Sequence, residues 1–192
     1  MKKIILYGPP LAGKRTALEL LGAYQNERVQ RFAICGDPSD QTRIPRTLDG
    51  KIMYASAEEY GSTRIKNVGC YITTKSGVTA TTVLTFSGTV WTETLWGDFV
   101  SSADAVALML DSQPSCVDTN LRFIRQLDAL NPASTVGCVC WTKMDLIGSR
   151  HDLIDSHLRM SRHSGWPAFL CSVADPPTIR APIEWLMRQL RS

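Results

Sequence analysis

With 192 residues, 44% of them apolar and 20% charged, the chain is long enough to bury one sizeable core and reads as a single soluble domain over 1–192. Its net charge of +3 is small, and the basic residues are scattered rather than gathered into a run, so composition gives no warrant for nucleic acid or a membrane surface as partner. No stretch approaches the roughly 20 apolar residues of a spanning helix, so no transmembrane segment is expected.

The elements alternate along the chain. "MKKIILYGPP" has the lysines and apolar start of a secretion signal, but its apolar run stops at Gly8-Pro9-Pro10, and Lys2–Gly8 reads as a buried strand. A helix follows over Gly13–Tyr24. From Gly36 to Gly88 the chain is polar and rich in Thr, Ser and Gly. A long loop over Gly36–Gly50 leads to strand-like pieces at Lys51–Ser56, Gly69–Lys75 and Ala80–Phe86, expected to add an antiparallel edge. Then strands Asp104–Ser112, Ser134–Thr142 and Pro167–Val173 alternate with helical spacing at Val117–Leu130, Arg150–His163 and Ala181–Ser192. In the last helix Ile183, Leu186, Met187 and Leu190 share one stripe. The alternation implies an α/β fold: a mostly parallel central sheet with an antiparallel edge strand and helices on both faces.

Six cysteines, Cys35, Cys70, Cys116, Cys138, Cys140 and Cys171, form no CxxC pair and sit partly in apolar runs, which suits buried thiols of a reduced, cytoplasmic protein. His151, His157 and His163 recur every six residues, which puts them on different helix faces, as surface histidines rather than metal ligands.

Two motifs carry chemistry. "GPPLAGK" is a Gly-x-x-x-x-Gly-Lys run between a strand and a helix. In that context the backbone N–H groups and the helix N-terminus form a phosphate cradle around Gly8 and Gly13, with Lys14 reaching the outer phosphates. "CWTKMDL" ends an apolar strand with Thr142-Lys143-Met144-Asp145, close to the Asn-Lys-x-Asp with which GTPases read guanine. A carboxylate at Asp145 can accept two hydrogen bonds from guanine N1–H and its exocyclic amine, which adenine does not offer, while the Lys143 stem lies along the purine. "LCSVAD" then puts Ser172 and Val173 where GTPases present a loop to guanine O6.

In order and spacing these motifs resemble the Ras-like small GTPases of the P-loop NTPase fold, and within them the bacterial MglA-type polarity GTPases. "GPPLAGK" is similar to that family's Gly-Pro-Gly-Leu-x-Gly-Lys loop, and "TFSGTVWTETLWGDFVSSADAVALMLDSQ", Thr85 to Gln113, fits its second switch and following strand without a gap. "IPRTLDG" supplies the Arg-Thr-Leu of its first switch. The likeness covers most of the chain except Arg64–Ala80. It implies that Gly8, Gly13, Lys14 and the Thr16 backbone hold phosphate, that Gly88 meets the γ-phosphate, that Thr47 senses the γ-phosphate and Mg²⁺, and that Arg46 acts in cis on the transition state. It also implies GTP and GDP as ligands, and a protein partner reading the switch segments, such as a small roadblock-type regulator.

Two departures bear on catalysis. Arg15 stands where phosphate loops carry the Ser or Thr that coordinates Mg²⁺, and a guanidinium has only donors. Three alternatives follow: Mg²⁺ held weakly through Thr47 and waters, an Arg15 charge replacing the ion, or Arg15 turned outward at a site without metal. Thr89 stands where hydrolytic GTPases carry the water-positioning Gln. Losing both should cost roughly 10²- to 10⁴-fold in rate, so hydrolysis is expected to be slow or absent. The leading expectation is a guanine-nucleotide switch, with Trp91 and Trp96 suited either to a partner face or to the buried core. The alternatives are a pseudo-GTPase scaffold and a small-molecule kinase or ATPase, which leaves Asp145 unexplained.

Overall fold

The protein is represented by a computed structural model that describes residues 2–27, 29–34, 54–56, 69–76, 79–86, 100–130, 136–148, 155 and 165–191. The described strands are β1 (Lys2–Tyr7), β2 (Gln30–Ile34), β3 (Tyr54–Ser56), β4 (Gly69–Ser76), β5 (Thr79–Phe86), β6 (Ala105–Asp111), β7 (Val136–Thr142) and β8 (Ala168–Leu170). The described helices of two turns or more are α1 (Lys14–Gln25), α2 (Val117–Ala129) and α3 (Pro176–Gln189).

All eight strands join one sheet in the order β3-β2-β4-β5-β1-β6-β7-β8. From β5 through β1, β6 and β7 to β8, every neighbouring pair is parallel. The antiparallel pairings lie on the other side, between β5 and β4, β4 and β2, and β2 and β3. A single antiparallel edge strand was too simple: the edge at β8 is parallel, and the opposite side is built from three strands.

Strand β1 explains the layering. Ile4 and Leu6 pack in one cluster with Leu18 and Leu21 of α1 and Ile183 and Leu186 of α3. Ile5 and Tyr7 pack in a second cluster with Phe123 and Leu127 of α2 and with Trp141. Successive strand side chains point to opposite faces, so a continuous apolar run is buried on both, under helices on either side. Every residue of β6 is buried. Four of the described cysteines are free thiols, of which Cys138, Cys140 and Cys171 are buried and Cys116 is half-buried. Among the described residues no helix is long and apolar enough to cross a membrane.

Helix α3 begins at Pro176, five residues ahead of the predicted Ala181, with prolines in its first turn. The first-turn N–H groups have no intrahelical acceptor, so proline there loses nothing and its fixed φ suits the helix. Helix α1 ends at Asn26, whose φ of 55° closes the last turn on the Gly22 and Ala23 carbonyls. The loop Gly36–Gly50, Trp91 and Trp96 lie outside the described residues, as does the predicted helix Arg150–His163 with its three histidines, apart from Asp155.

Gly137 of β7 lies against the Trp166 indole: a Cβ placed there would stand 2.2 Å from a ring carbon. Gly137→Ala is therefore expected to destabilise the chain by about 1–3 kcal/mol, as overpacking does, read as a lowered urea midpoint with an unchanged m-value.

Candidate functional site

The carboxyl ends of β1, β6, β7 and β8 converge on one edge of the parallel sheet, the usual place for ligands in open α/β sheets. After β1 the chain turns through Gly8 at φ 143°, Leu11 at φ 64° and Gly13 at φ 78° before α1 starts at Lys14. Gly8 is required twice over: its φ disfavours any side chain, and a Cβ would lie 2.0 Å from the Met109 carbonyl oxygen of β6. Gly13 has room for a Cβ, with Thr142 Cβ at 3.9 Å, so its φ is what selects glycine. The N-cap residue of α1 is Gly13, which has no side chain to cap the helix.

Lys14 folds back into this turn. It is buried, and its Nζ donates to the carbonyls of Gly8 at 2.7 Å and Pro9 at 2.5 Å. Burial lowers its pKa to about 8. A buried cation inside a ring of backbone dipoles is suited to an anion. Arg15, by contrast, lies on the exposed side of α1, its Nε 2.8 Å from Glu19 Oε1. That is the outward-turned arrangement among the three alternatives. Thr16 is half-buried on the next position of the helix.

The Thr142–Asp145 motif is bound to this loop. The Thr142 hydroxyl, at the end of β7, lies 2.9 Å from the Leu110 carbonyl and 3.2 Å from the Ala12 carbonyl, sharing its proton between β6 and the turn that leads from β1 to α1. Lys143 follows in the left-handed region at φ 59°, ψ 34°, and Met144–Leu146 form one 3₁₀ turn. Asp145 is exposed, and its Oδ1 accepts the Ser172 hydroxyl at 2.7 Å. Ser172 Oγ also accepts the Ala174 N–H at 3.0 Å, while the Ser172 N–H donates to Thr178 Oγ1 at 2.9 Å. Val173 is exposed beside them. The structure thus brings Gly8, Gly13, Lys14, Thr142, Lys143, Asp145, Ser172 and Val173 to one edge.

Lys143 is anchored at its ammonium end. Its Nζ pairs with Asp111 Oδ2 at 2.6 Å, at the end of β6. The Asp111 carboxylate also takes the Gln113 N–H at 3.0 Å. Burial by itself would raise the Asp111 pKa, but Lys143 and the Gln113 donors outweigh it and hold the carboxyl below its ordinary value. The Asp111 backbone is clamped by buried Asn120 of α2, which accepts its N–H at 3.3 Å and donates to its carbonyl at 2.7 Å. Sequence reasoning passed over Asp111, Asn120 and Thr178. The available signals were an acid ending a wholly apolar strand and an amide three residues before Phe123 on the apolar stripe of α2.

Thr85, at the position where Ras-like proteins carry Asp, is buried, and its hydroxyl donates to the Leu6 carbonyl at 3.1 Å, joining β5 to β1. Arg46, Thr47, Gly88 and Thr89 lie outside the described residues. A magnesium ion does not fit the described part of the site: the position after Lys14 offers only donors, and the Asp111 carboxylate is occupied by Lys143 and Gln113. Among the described residues no group of three or more His, Cys, Asp or Glu side chains could hold a metal. No protein-family model matches the chain, and no curated protein matches it in sequence.

Proposed function

We propose that the chain is a guanine-nucleotide-binding protein of Ras-like, MglA type, a cytoplasmic switch with slow or absent hydrolysis. The observation that carries this reading is the joined site: a phosphate loop closed on Lys14, tied through the Thr142 hydroxyl to a turn that presents Asp145 beside Ser172. Phosphates would lie against the α1 N-terminus and Lys14, and the base against Asp145, whose two carboxylate oxygens would supply the acceptors that guanine N1–H and amine require. Arg46, Thr47, Gly88 and Thr89 enter the proposal from the resemblance alone. The γ-phosphate would order their segments, and a partner protein, such as a roadblock-type regulator, would read that order.

One observation favours a second reading, a scaffold with constitutive or no nucleotide. Arg15 occupies the metal-ligand position and pairs outward with Glu19, which leaves no Mg²⁺ hydroxyl there to sense a γ-phosphate.

Titration calorimetry with GTP, GDP and ATP, each with Mg²⁺ and with EDTA, separates the readings. Guanine nucleotides are expected to bind on the order of 10²-fold tighter than ATP, because two hydrogen bonds to a charged acceptor at Asp145 are open to guanine and not to adenine. Tighter GTP than GDP supports the switch, and equal affinities support the scaffold. ATP preference would overturn the guanine assignment.

A further inference from the structure

The Asp111–Lys143 pair lies at the centre of the strand-end edge, and no role for Asp111 follows from the phosphate or base contacts alone. Lys143 holds a left-handed backbone conformation, which a non-glycine residue of this size adopts only when its surroundings enforce it. Three contacts enforce it here. The Lys143 carbonyl accepts the Leu146 N–H at 2.9 Å, the next N–H, of Met144, donates to the Cys171 carbonyl at 3.1 Å, and the side chain is held by Asp111 at 2.6 Å. The first two are local to the turn and to β8. The third comes from β6, through a carboxylate that is only 5% exposed, and α2 fixes that carboxylate's backbone on both sides through Asn120. A short charge-assisted bond to an immobile partner fixes a flexible lysine stem better than a solvated one.

Building on the guanine reading, we infer that Asp111 is a positioning residue for base recognition: by holding Lys143 it sets the turn that aims Asp145 at the base. It touches neither base nor phosphate. Its removal should therefore weaken discrimination between bases and spare the phosphate loop, whose Lys14 contacts are made to Gly8 and Pro9.

The test uses the full chain with GDP, ADP and inorganic pyrophosphate as probes in calorimetry. Asp111→Asn keeps the shape and an acceptor for the Gln113 N–H while removing the charge. It is expected to lower the GDP-to-ADP affinity ratio about tenfold and to leave pyrophosphate affinity within twofold. Where the Asn variant does not fold, Asp111→Ser, smaller and still able to accept the Gln113 N–H, takes its place with the same expectation. In a Lys143→Met background the Asp111 change should have no further effect on the ratio, since it acts only through Lys143. An unchanged ratio in Asp111→Asn, an equal loss of GDP and pyrophosphate, or additive effects of the two substitutions would each overturn the inference. A wild-type chain that binds GDP and ADP equally would overturn the guanine reading itself, and the positioning role with it.

Discussion

Asp145→Asn is expected to exchange guanine for xanthine as the preferred base, shifting the GTP-to-XTP affinity ratio by on the order of 10²- to 10³-fold. On the proposed reading the carboxylate would accept from both guanine N1–H and the 2-amine; an amide would accept one and place an N–H₂ against the other donor. Losing a hydrogen bond to a charged acceptor costs about 1.5–3 kcal/mol, roughly 10- to 150-fold. Xanthine carries a carbonyl where guanine has its amine, so the same N–H₂ becomes a partner worth about 1 kcal/mol. The Ser172 hydroxyl, which donates to Oδ1 of Asp145 at 2.7 Å, would choose the orientation of the new amide, since it can donate to the amide oxygen while the N–H₂ faces outward. Competition binding of GTP, XTP and ATP checks this. Equal weakening of all three would mean that Asp145 supports the turn without reading the base.

Lys14 should make the ligand-free protein gain stability in alkali and leave the loaded protein without that gain. Its pKa is lowered from 10.5 to about 8 by burial, so between those values the unfolded chain carries the extra proton. Stability of the ligand-free chain is then expected to rise from about pH 8 to about pH 10.5, by up to about 3 kcal/mol from this group alone. A phosphoryl anion in the loop would favour the charged ammonium and cancel the gain: affinity for pyrophosphate or GDP should fall as pH rises through 8, because binding must take up a proton, so stability at saturating ligand should stay level over that range. Urea unfolding across that range, with and without pyrophosphate, measures both slopes. Lys14→Met should flatten the difference between the curves and lower pyrophosphate affinity by about 10²-fold. Parallel wild-type and Lys14→Met curves would place the lysine charge in water.

The parallel half of the sheet was legible because its strands are covered on both faces and therefore read as unbroken apolar runs, as in Ile4–Tyr7 and Ala105–Leu110. Strand β2 was not foreseen. "QRFAI" is five residues beginning with two polar ones, and its hydrogen bonds go to β3 and β4, partners a local reading does not supply. The early start of α3 was missed because Pro176 and Pro177 look like helix breakers until they are seen to occupy the first turn. At the site, Gly8, Lys14 and Asp145 could be named from spacing, since the chemistry is set by residue type and order. The placement of Lys143 could not be: its partner lies 32 positions away on another strand, and only the register of β6 against β7, which sets Asp111 opposite Thr142, brings the two together.

The shared proton of Thr142, between the Ala12 and Leu110 carbonyls, ties the two halves of the edge together through the fold itself. A nucleotide whose phosphates are seated would find its base already delivered to the second subsite at high effective concentration, with little conformational freedom left to lose. On the proposed reading a whole nucleotide would be held far more strongly than its separated parts, and would depart only when both ends let go together.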